Sequence, residues 1–357
     1  MAALMVLISH VELIKSSMGI SNHYKLMEHI NFGGLGVYFF FVLSGFLITY
    51  LLLKENFLTE NINIKHFYIR RILRIWPLYY LILFIGFFIL PHIESIKLNQ
   101  YDEMLQLNFN ENLILYLLIL PNLAFSIFPA VPHIGQSWSI GVEEQFYLIW
   151  PIIIKKFKPD FKKILFLLIS IILLKTIFFT ITLFYQDHSV LLILKKYIAM
   201  SKFESMLIGG LGAFILFEKR ENLLEVIFNK KIFFLCIIGF LPLNYFVFYN
   251  IIQNGIHIII SFMFLVIIMN LGCNTRYKQL LENKIMNYLG TISYGIYMIH
   301  LMVIPFMVAL FKPIQEKSIL FNVSVYLLSI IVTIMISDIS YRFFESYFLK
   351  IKKRFEK

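Results

Sequence analysis

Hydrophobic positions in this chain gather into long apolar runs that short polar segments separate. The runs cover residues 1–14, 35–53, 75–90, 112–128, 136–151, 164–184, 198–217, 232–250, 256–272, 288–311 and 319–341. Most approach the roughly 20 residues that a membrane-spanning helix needs. The pattern therefore predicts an all-α fold, a polytopic membrane helical bundle. The first run is shorter and lacks the features of a signal peptide, so we interpret it as a first helix whose start is clipped.

Composition agrees with this class of protein. Of the 357 residues, 59% are hydrophobic and only 15% are charged, with a mean hydropathy of +0.79. The net charge of +11 does not indicate a nucleic-acid partner, because no basic stripe interleaved with aromatics stands out. Cys236 and Cys273 lack metal-ligand spacing, so we expect neither a metal site nor a disulfide framework.

Basic residues decide how many runs cross the bilayer, because cytoplasmic loops carry an excess of Lys and Arg. If the amino terminus is cytoplasmic and run 112–128 does not cross, 22 basic residues lie in inside loops and 7 in outside loops. If that run crosses, the numbers become 9 and 20. We therefore predict about ten transmembrane helices, both termini in the cytoplasm, and a re-entrant or interfacial segment at 112–128. We expect residues 1–357 to form a single membrane-embedded domain with no soluble appended domain.

The stretch 136–151 places two adjacent carboxylates, Glu143 and Glu144, inside an aromatic and aliphatic run. At 3.6 residues per turn, one face of the predicted helix is a polar seam. The seam contains Gln136, Ser139, Glu143, Tyr147 and Trp150. Ionisable residues at membrane depth usually face a bundle interior or a watery cavity, which indicates a functional site. The alternative is a glutamate that pairs with a neighbouring helix for packing alone.

Other candidate residues lie in the amino-terminal part of the chain. His10, in the first run, is either a hydrogen-bonded packing residue or a functional group. Ser44 is followed by a glycine, and this small pair lets a neighbouring helix approach closely. Arg70, Arg71 and Arg74 precede the third run. Their guanidinium groups suit phosphate binding, and the alternative is the positive flank of a span.

The run at 288–311 brings Tyr297 and His300 onto one helix face. The predicted topology puts His10, Glu143 and His300 at similar depths in the outer half of the membrane. The arginine group lies at the inner face. We therefore expect two functional levels, with acid and base groups outside the midplane and anion-binding groups inside it.

These residues fall in strings that resemble the acyltransferase-3 family. The strings are SGFLI (44–48), RRILRIWPLYY (70–80), WSIGVEEQFYLIWP (138–151) and ISYGIYMIH (292–300), together with His10. The resemblance implies a ten-span bundle, an acyl-CoA donor bound from the cytoplasm and a sugar hydroxyl acylated on the far side. It also implies that His10 is catalytic, that the arginines are essential and that the conserved glutamate falls on Glu143. Members of that family usually carry an arginine about ten residues before this histidine, and the given sequence starts nine residues before His10. Either the start is misplaced and lies upstream, or the protein lacks that group.

Acyl transfer from a thioester to a hydroxyl needs a base, and a neutral imidazole is the best one available. A carboxylate would orient that imidazole, so we predict that His10 pairs with Glu143. Trp138 is either an interfacial anchor or a stacking platform for a sugar ring. Transfer is either direct or relayed through an acyl group on His10, and we favour the direct route because one donor arm and one base suffice.

The sequence thus predicts a membrane O-acyltransferase, most simply an O-acetyltransferase that uses acetyl-CoA and needs no metal. We expect it in the bacterial cytoplasmic (inner) membrane. Its acceptor would be a surface or lipid-linked glycan such as lipopolysaccharide O-antigen, capsule or exopolysaccharide. The alternatives are a secondary transporter, although paired halves are not visible, and a structural partner in polysaccharide assembly or export. The acceptor's identity and the oligomeric state stay open.

Overall fold

The computed structural model describes residues 2–20, 22, 31–98, 105–185, 188–248, 253–279, 281–315 and 318–355. Of the residues in these ranges, 87% are helical, and none is in a strand. The prediction of an all-α membrane bundle is therefore confirmed.

Seventeen α-helices of the described ranges are numbered here. In chain order they are α1 (Ala2–Ser17), α2 (Phe32–Thr59), α3 (Ile64–Phe88), α4 (Phe109–Leu117), α5 (Pro121–Ile127), α6 (Trp138–Phe157), α7 (Phe161–Phe184), α8 (Ser189–Met200), α9 (Phe203–Phe217), α10 (Glu221–Ile227), α11 (Lys230–Phe248), α12 (Gln253–Cys273), α13 (Thr275–Lys278), α14 (Lys284–Thr291), α15 (Ser293–Phe311), α16 (Ser318–Ser340) and α17 (Ser346–Lys352). A π-helical segment, Tyr341–Glu345, joins α16 to α17.

Seven helical stretches in the described ranges are long and apolar enough to cross a membrane. They are Phe32–Thr59, Ile64–His92, Phe161–Phe184, Ser189–Phe217, Gly255–Cys273, Ser293–Ile314 and Ile319–Phe355. An eighth results if α10 and the start of α11, bent by 52° to each other, are one broken span. The two remaining long runs are α1, which has only 16 residues, and α6, which carries two glutamates and two lysines. The number of ten spans therefore stays a prediction.

The segment 112–128 forms two short helices in place of one long helix. Helix α4 has 9 residues and α5 has 7, which corresponds to lengths of about 14 and 10 Å at 1.5 Å per residue. Between them Ile119 takes a positive φ of 59°, and Pro121 begins α5. This pair is not among the candidate spans of the described chain, in agreement with the prediction that the segment does not cross.

The core is built on a close crossing of α2 with α9. A methyl group added to Gly45 would lie 1.9 Å from the carbonyl oxygen of Met206, and one added to Gly209 would lie 2.0 Å from that of Val42. Only glycine permits this approach of two backbones. The small pair Ser44 and Gly45 predicts such a close contact with a neighbouring helix. The crossing fixes α2 as the central helix against which α1, α6 and α12 also pack.

Helix α1 packs between α2, α15 and α16. Its last turn contains a fully buried ion pair, in which Lys15 Nζ lies 2.7 Å from Glu12 Oε1 and donates to Asn322 Oδ1 at 2.6 Å. Lys15 is one of the seven basic residues that the predicted topology places in outside loops, but it is paired inside the bundle and is best left out of that number. The remaining 6 outside and 22 inside charges still favour the same topology.

Candidate active site

The predicted site residues separate into two levels along α2. At the outer level, a methyl group added to Gly33 would lie 3.2 Å from Ser9 Oγ, so the neighbouring His10 lies beside the start of α2. At the inner level, Ser44 shares a hydrogen bond with Tyr147 of α6. Gly33 and Ser44 are eleven residues apart, or about 16 Å along the helix axis. We refer to these as the outer and inner levels.

The outer level is a histidine pair. His10 Nδ1 lies 2.7 Å from His300 Nε2, and the planes of the two rings are within 11° of parallel, with centroids 5.0 Å apart. His300 is fully buried, whereas His10 is half-buried. His300 Nδ1 in turn lies 2.7 Å from the carbonyl oxygen of Tyr297. Neighbouring helices therefore place two imidazoles in one hydrogen-bonded chain.

This chain assigns the tautomers of both rings when they are neutral. A carbonyl oxygen can only accept, so Nδ1 of His300 carries the proton that it donates to Tyr297. His300 Nε2 is then an acceptor and must receive the proton of His10 Nδ1. His10 Nε2 is left with a free lone pair, which is what a general base needs.

Helix α6 supports the same group from its first turn. Ser139 Oγ shares a hydrogen bond of 2.6 Å with the Tyr297 hydroxyl, and Gln136 Nε2 donates to the Met298 carbonyl at 2.6 Å. Tyr297 also stacks on Phe40 of α2, with ring centroids 6.0 Å apart. The predicted candidates Ser139, Tyr297 and His300 thus lie in one cluster that fixes the position of α15.

The inner level is built around Glu143, which is 3% exposed. Tyr147, one turn along α6, donates a short hydrogen bond to Glu143 Oε1, and its hydroxyl also contacts Ser44. The guanidinium of Arg71 lies 5.6 Å from the centroid of the Tyr147 ring. Ser44, Tyr147 and Glu143 therefore form one polar group that faces an arginine.

The predicted pairing of His10 with Glu143 is wrong. His10 bonds to His300, and Glu143 bonds to Tyr147 at the inner level. The error comes from depths that were counted from the ends of apolar runs, because a similar depth does not say which side chains meet. A catalytic role for either residue stays a prediction.

The three arginines have different surroundings. Arg70 donates to Glu55 Oε2 at 3.0 Å and to the carbonyl oxygen of Phe355 at 2.8 Å, so it ties α2 and α3 to the end of the described chain. Arg71 points inward, and its buried Nε has no hydrogen-bond partner. Arg74 is exposed. Arg70 is thus occupied by protein partners, and phosphate binding by the arginines stays a prediction that Arg71 and Arg74 suit best.

Two further polar atoms near the sites are buried without a partner. Trp76 Nε1 donates to Glu144 Oε2 at 2.9 Å, while Glu144 Oε1 has no partner. Gln136 Oε1 is likewise unpaired. Buried polar groups normally have hydrogen-bond partners. Unpaired oxygens beside the candidate site therefore indicate room for a polar ligand or water.

Trp138 begins α6 and packs edge-on against Phe41, with ring centroids 6.3 Å apart. This contact favours the anchoring role over a stacking platform for sugar.

His133 is a buried residue that sequence reasoning missed. It lies in the connection between α5 and α6, is 2% exposed and has a positive φ of 61°. Burial lowers the pKa of His133 to about 4, opposed by the backbone of Leu301, so the ring is neutral at pH 7. Neither ring nitrogen has a geometrically sound hydrogen-bond partner. A single histidine in a loop has no sequence spacing that would indicate a site. His133 becomes a candidate only because the structure places it beside Leu301, the residue that follows His300.

Within the described ranges, no group of three or more His, Cys, Asp or Glu side chains is arranged to hold a metal ion.

A family model described as an acyltransferase domain, Acyl_transf_3, matches residues 1–342. The chain belongs to the acyltransferase-3 family. The match spans both the histidine pair and the inner level, so the sequence resemblance and the geometry concern the same residues. Together with the apolar helices, it makes the chain an integral membrane protein.

The family member is similar to O-acetyltransferase OatA of Staphylococcus aureus. OatA from strain NCTC 8325 and OatA from strain COL are each 29% identical to it over 347 residues. The aligned part covers 92% of this chain and 54% of each relative, so the chain spans about half the length of these proteins. No solved structure matches the chain.

Proposed function

We propose that this protein is a membrane O-acetyltransferase that moves an acyl group from cytoplasmic acyl-CoA to a hydroxyl of a cell-surface or lipid-linked glycan. The observation that carries the proposal is the free Nε2 of His10, held by His300 in a member of an acyltransferase family. The similarity to OatA supports acetyl as the group transferred.

In the proposed reaction His10 Nε2 removes the proton from the acceptor hydroxyl as its oxygen attacks the thioester carbonyl. The new ester bond forms, the carbon–sulfur bond breaks, and the proton on His10 neutralises the leaving thiolate. While His10 is protonated, its Nδ1–H still donates to His300 Nε2, which stabilises the imidazolium. His300 therefore has the orienting role that the sequence assigned to Glu143.

The inner level is the proposed donor site. Arg71 and Arg74 would hold donor phosphates, because guanidinium offers planar paired donors and the Nε of Arg71 is unpaired. Glu143 and Tyr147 would set the position of Arg71. With the phosphates at this level, the thioester must reach about 16 Å outward to His10. The long flexible arm of coenzyme A suits that distance.

This assignment places the donor on the cytoplasmic side of the inner membrane and the acceptor on the far side. It also keeps the whole chain as one transfer domain, with both termini cytoplasmic.

Membrane vesicles of defined orientation test the proposal. Vesicles that expose the cytoplasmic face, given labelled acetyl-CoA, should label glycan in their lumen, whereas right-side-out vesicles given the same donor should not. Vesicles that carry the His10→Ala protein are the matched control. Glycan movement without any consumption of acetyl-CoA would instead indicate the transporter and overturn the proposal.

A further inference from the structure

A second cluster of charged side chains lies away from the histidine pair. It lines a cavity of about 320 Å³ between α7, α8 and the first turns of α9 and α12. Glu204, 1% exposed, lies 2.7 Å from Lys175 Nζ and 2.7 Å from His257 Nε2. None of these residues takes part in the proposed transfer.

The cavity has an excess of positive charge. Lys195 and Lys202 also line it, and among the described residues neither has a carboxylate within salt-bridge distance. Lys202 instead lies over the ring of Tyr38 at 5.6 Å. Even with His257 neutral, three lysines face a single glutamate. An excess of lysines over carboxylates at such a site favours the binding of an anion.

The walls of the cavity indicate what kind of anion it takes. Apolar side chains such as Ile172, Phe179 and Leu183 line it beside the lysines. Only 11% of the residues in the apolar stretch of α7 are buried, so this helix presents an apolar surface to lipid. A ligand entering beside α7 meets hydrocarbon on one side and ammonium groups on the other. That combination fits an amphiphile with an anionic head and an apolar chain.

We propose that the cavity between α7, α8 and α12 binds the phosphate group of a membrane lipid. Lys195 and Lys202 contact the phosphate, and the Lys175–Glu204–His257 group holds the walls of the site together. The lipid is either an ordinary anionic phospholipid or the carrier of a lipid-linked glycan. In the second case, which rests on the proposed function, the site holds the acceptor at the membrane surface.

Binding to the purified full-length protein in neutral lipid nanodiscs tests the inference without any turnover. The probes are farnesyl phosphate, farnesol, inorganic phosphate and phosphatidylglycerol. We expect both lipid phosphates to bind and farnesol to bind at least about tenfold more weakly, because it lacks the charged acceptor of hydrogen bonds. Tighter binding of farnesyl phosphate would identify a polyprenyl carrier, and tighter binding of phosphatidylglycerol an ordinary phospholipid.

Charge-removing variants locate the site. The double variant Lys195→Gln, Lys202→Gln should lose about tenfold or more in affinity for the lipid phosphates. Lys196→Gln is the control and should bind as wild type. Lys196 is the next residue of α8, but it lies over Phe125 outside the cavity. Unchanged binding by the double variant, or equal loss in Lys196→Gln, would overturn the proposal. So would equal binding of farnesol and farnesyl phosphate. Loss of glycan acetylation with lipid binding intact would count against the proposed function alone.

Discussion

In the proposed reaction, a second histidine fixes the ring of the base His10. His300 offers His10 a neutral hydrogen-bond acceptor, where the sequence predicted a carboxylate. The carbonyl of Tyr297 holds the proton of His300 on Nδ1, so His300 has a lone pair directed at His10. The free Nε2 of His10 follows from these two bonds.

Substitutions of His300 test this arrangement at the residue scale. His300→Leu removes the acceptor for His10 and should lower kcat about tenfold or more with little change in donor KM, since a positioned base contributes roughly 10²–10⁴-fold. His300→Gln places an amide oxygen near the position of Nε2 and should restore part of the rate. The dependence of kcat on pH should change in His300→Leu and be closer to wild type in His300→Gln. Equal activity of Leu and Gln variants would leave His300 with a packing role.

The arginines make a second prediction at this scale. Arg71→Lys keeps the charge but loses the planar donor group, so we expect acetyl-CoA to bind about tenfold more weakly. Arg70→Lys is the control, because Arg70 is held by Glu55 and Phe355 and should affect donor binding little. Calorimetric titration of the purified variants measures both. The reverse order of effects would place the donor phosphates at Arg70.

The sequence predicted which residues belong to the candidate site better than it predicted which of them are in contact. Spacing along one helix correctly placed Tyr297 and His300 together, and it placed Glu143 near Tyr147, because such pairs depend only on the helical repeat. The partner of His10 depends on how α1 packs against α15, which no local pattern contains. The same reason explains why the sequence does not show that Arg70 is paired with Glu55 while Arg71 Nε lacks a partner.

At the scale of elements, α2 is the helix on which both levels are aligned. Its outer end contacts α1, its middle contacts α6 through Ser44, and its glycine face contacts α9. Any change in the α2–α9 crossing should therefore move both levels at once.

Gly45→Ala tests this element. The added methyl group would lie 1.9 Å from the Met206 carbonyl, so the helices must separate, at a cost of about 1–3 kcal/mol. We expect a lower thermal unfolding temperature together with reduced activity. Gly272→Ala in α12 is the matched control, because an added methyl group there has no atom within 4 Å. If Gly45→Ala unfolds at the same temperature as Gly272→Ala, the crossing is looser than described.

At the scale of the whole molecule, the predicted direction of α6 sets the sidedness of the proposed reaction. The fold class followed directly from the apolar runs. The number of spans did not, because α6 carries two glutamates and two lysines within one helix and α1 is short. Composition alone cannot tell such a helix from one that lies at a surface.

Cysteine labelling tests the predicted topology. In a variant with Cys236 and Cys273 replaced by serine, a single Lys162→Cys should react with a membrane-impermeant thiol reagent only after cells are opened. Labelling in intact cells would place the 155–163 loop outside and overturn the ten-span topology, together with the cytoplasmic donor site.

The central claim is that His10 is the base for transfer to a glycan hydroxyl, and acetyl transfer by the purified protein in liposomes tests it most directly. With labelled acetyl-CoA and acceptor glycan, wild type should label the glycan. His10→Ala should be slower by roughly a hundredfold or more while it binds acetyl-CoA nearly as well. Without acceptor, no stable label should remain on the wild-type protein. Stable label on wild type that His10→Ala lacks would contradict direct transfer, and full activity of His10→Ala would contradict the account as a whole.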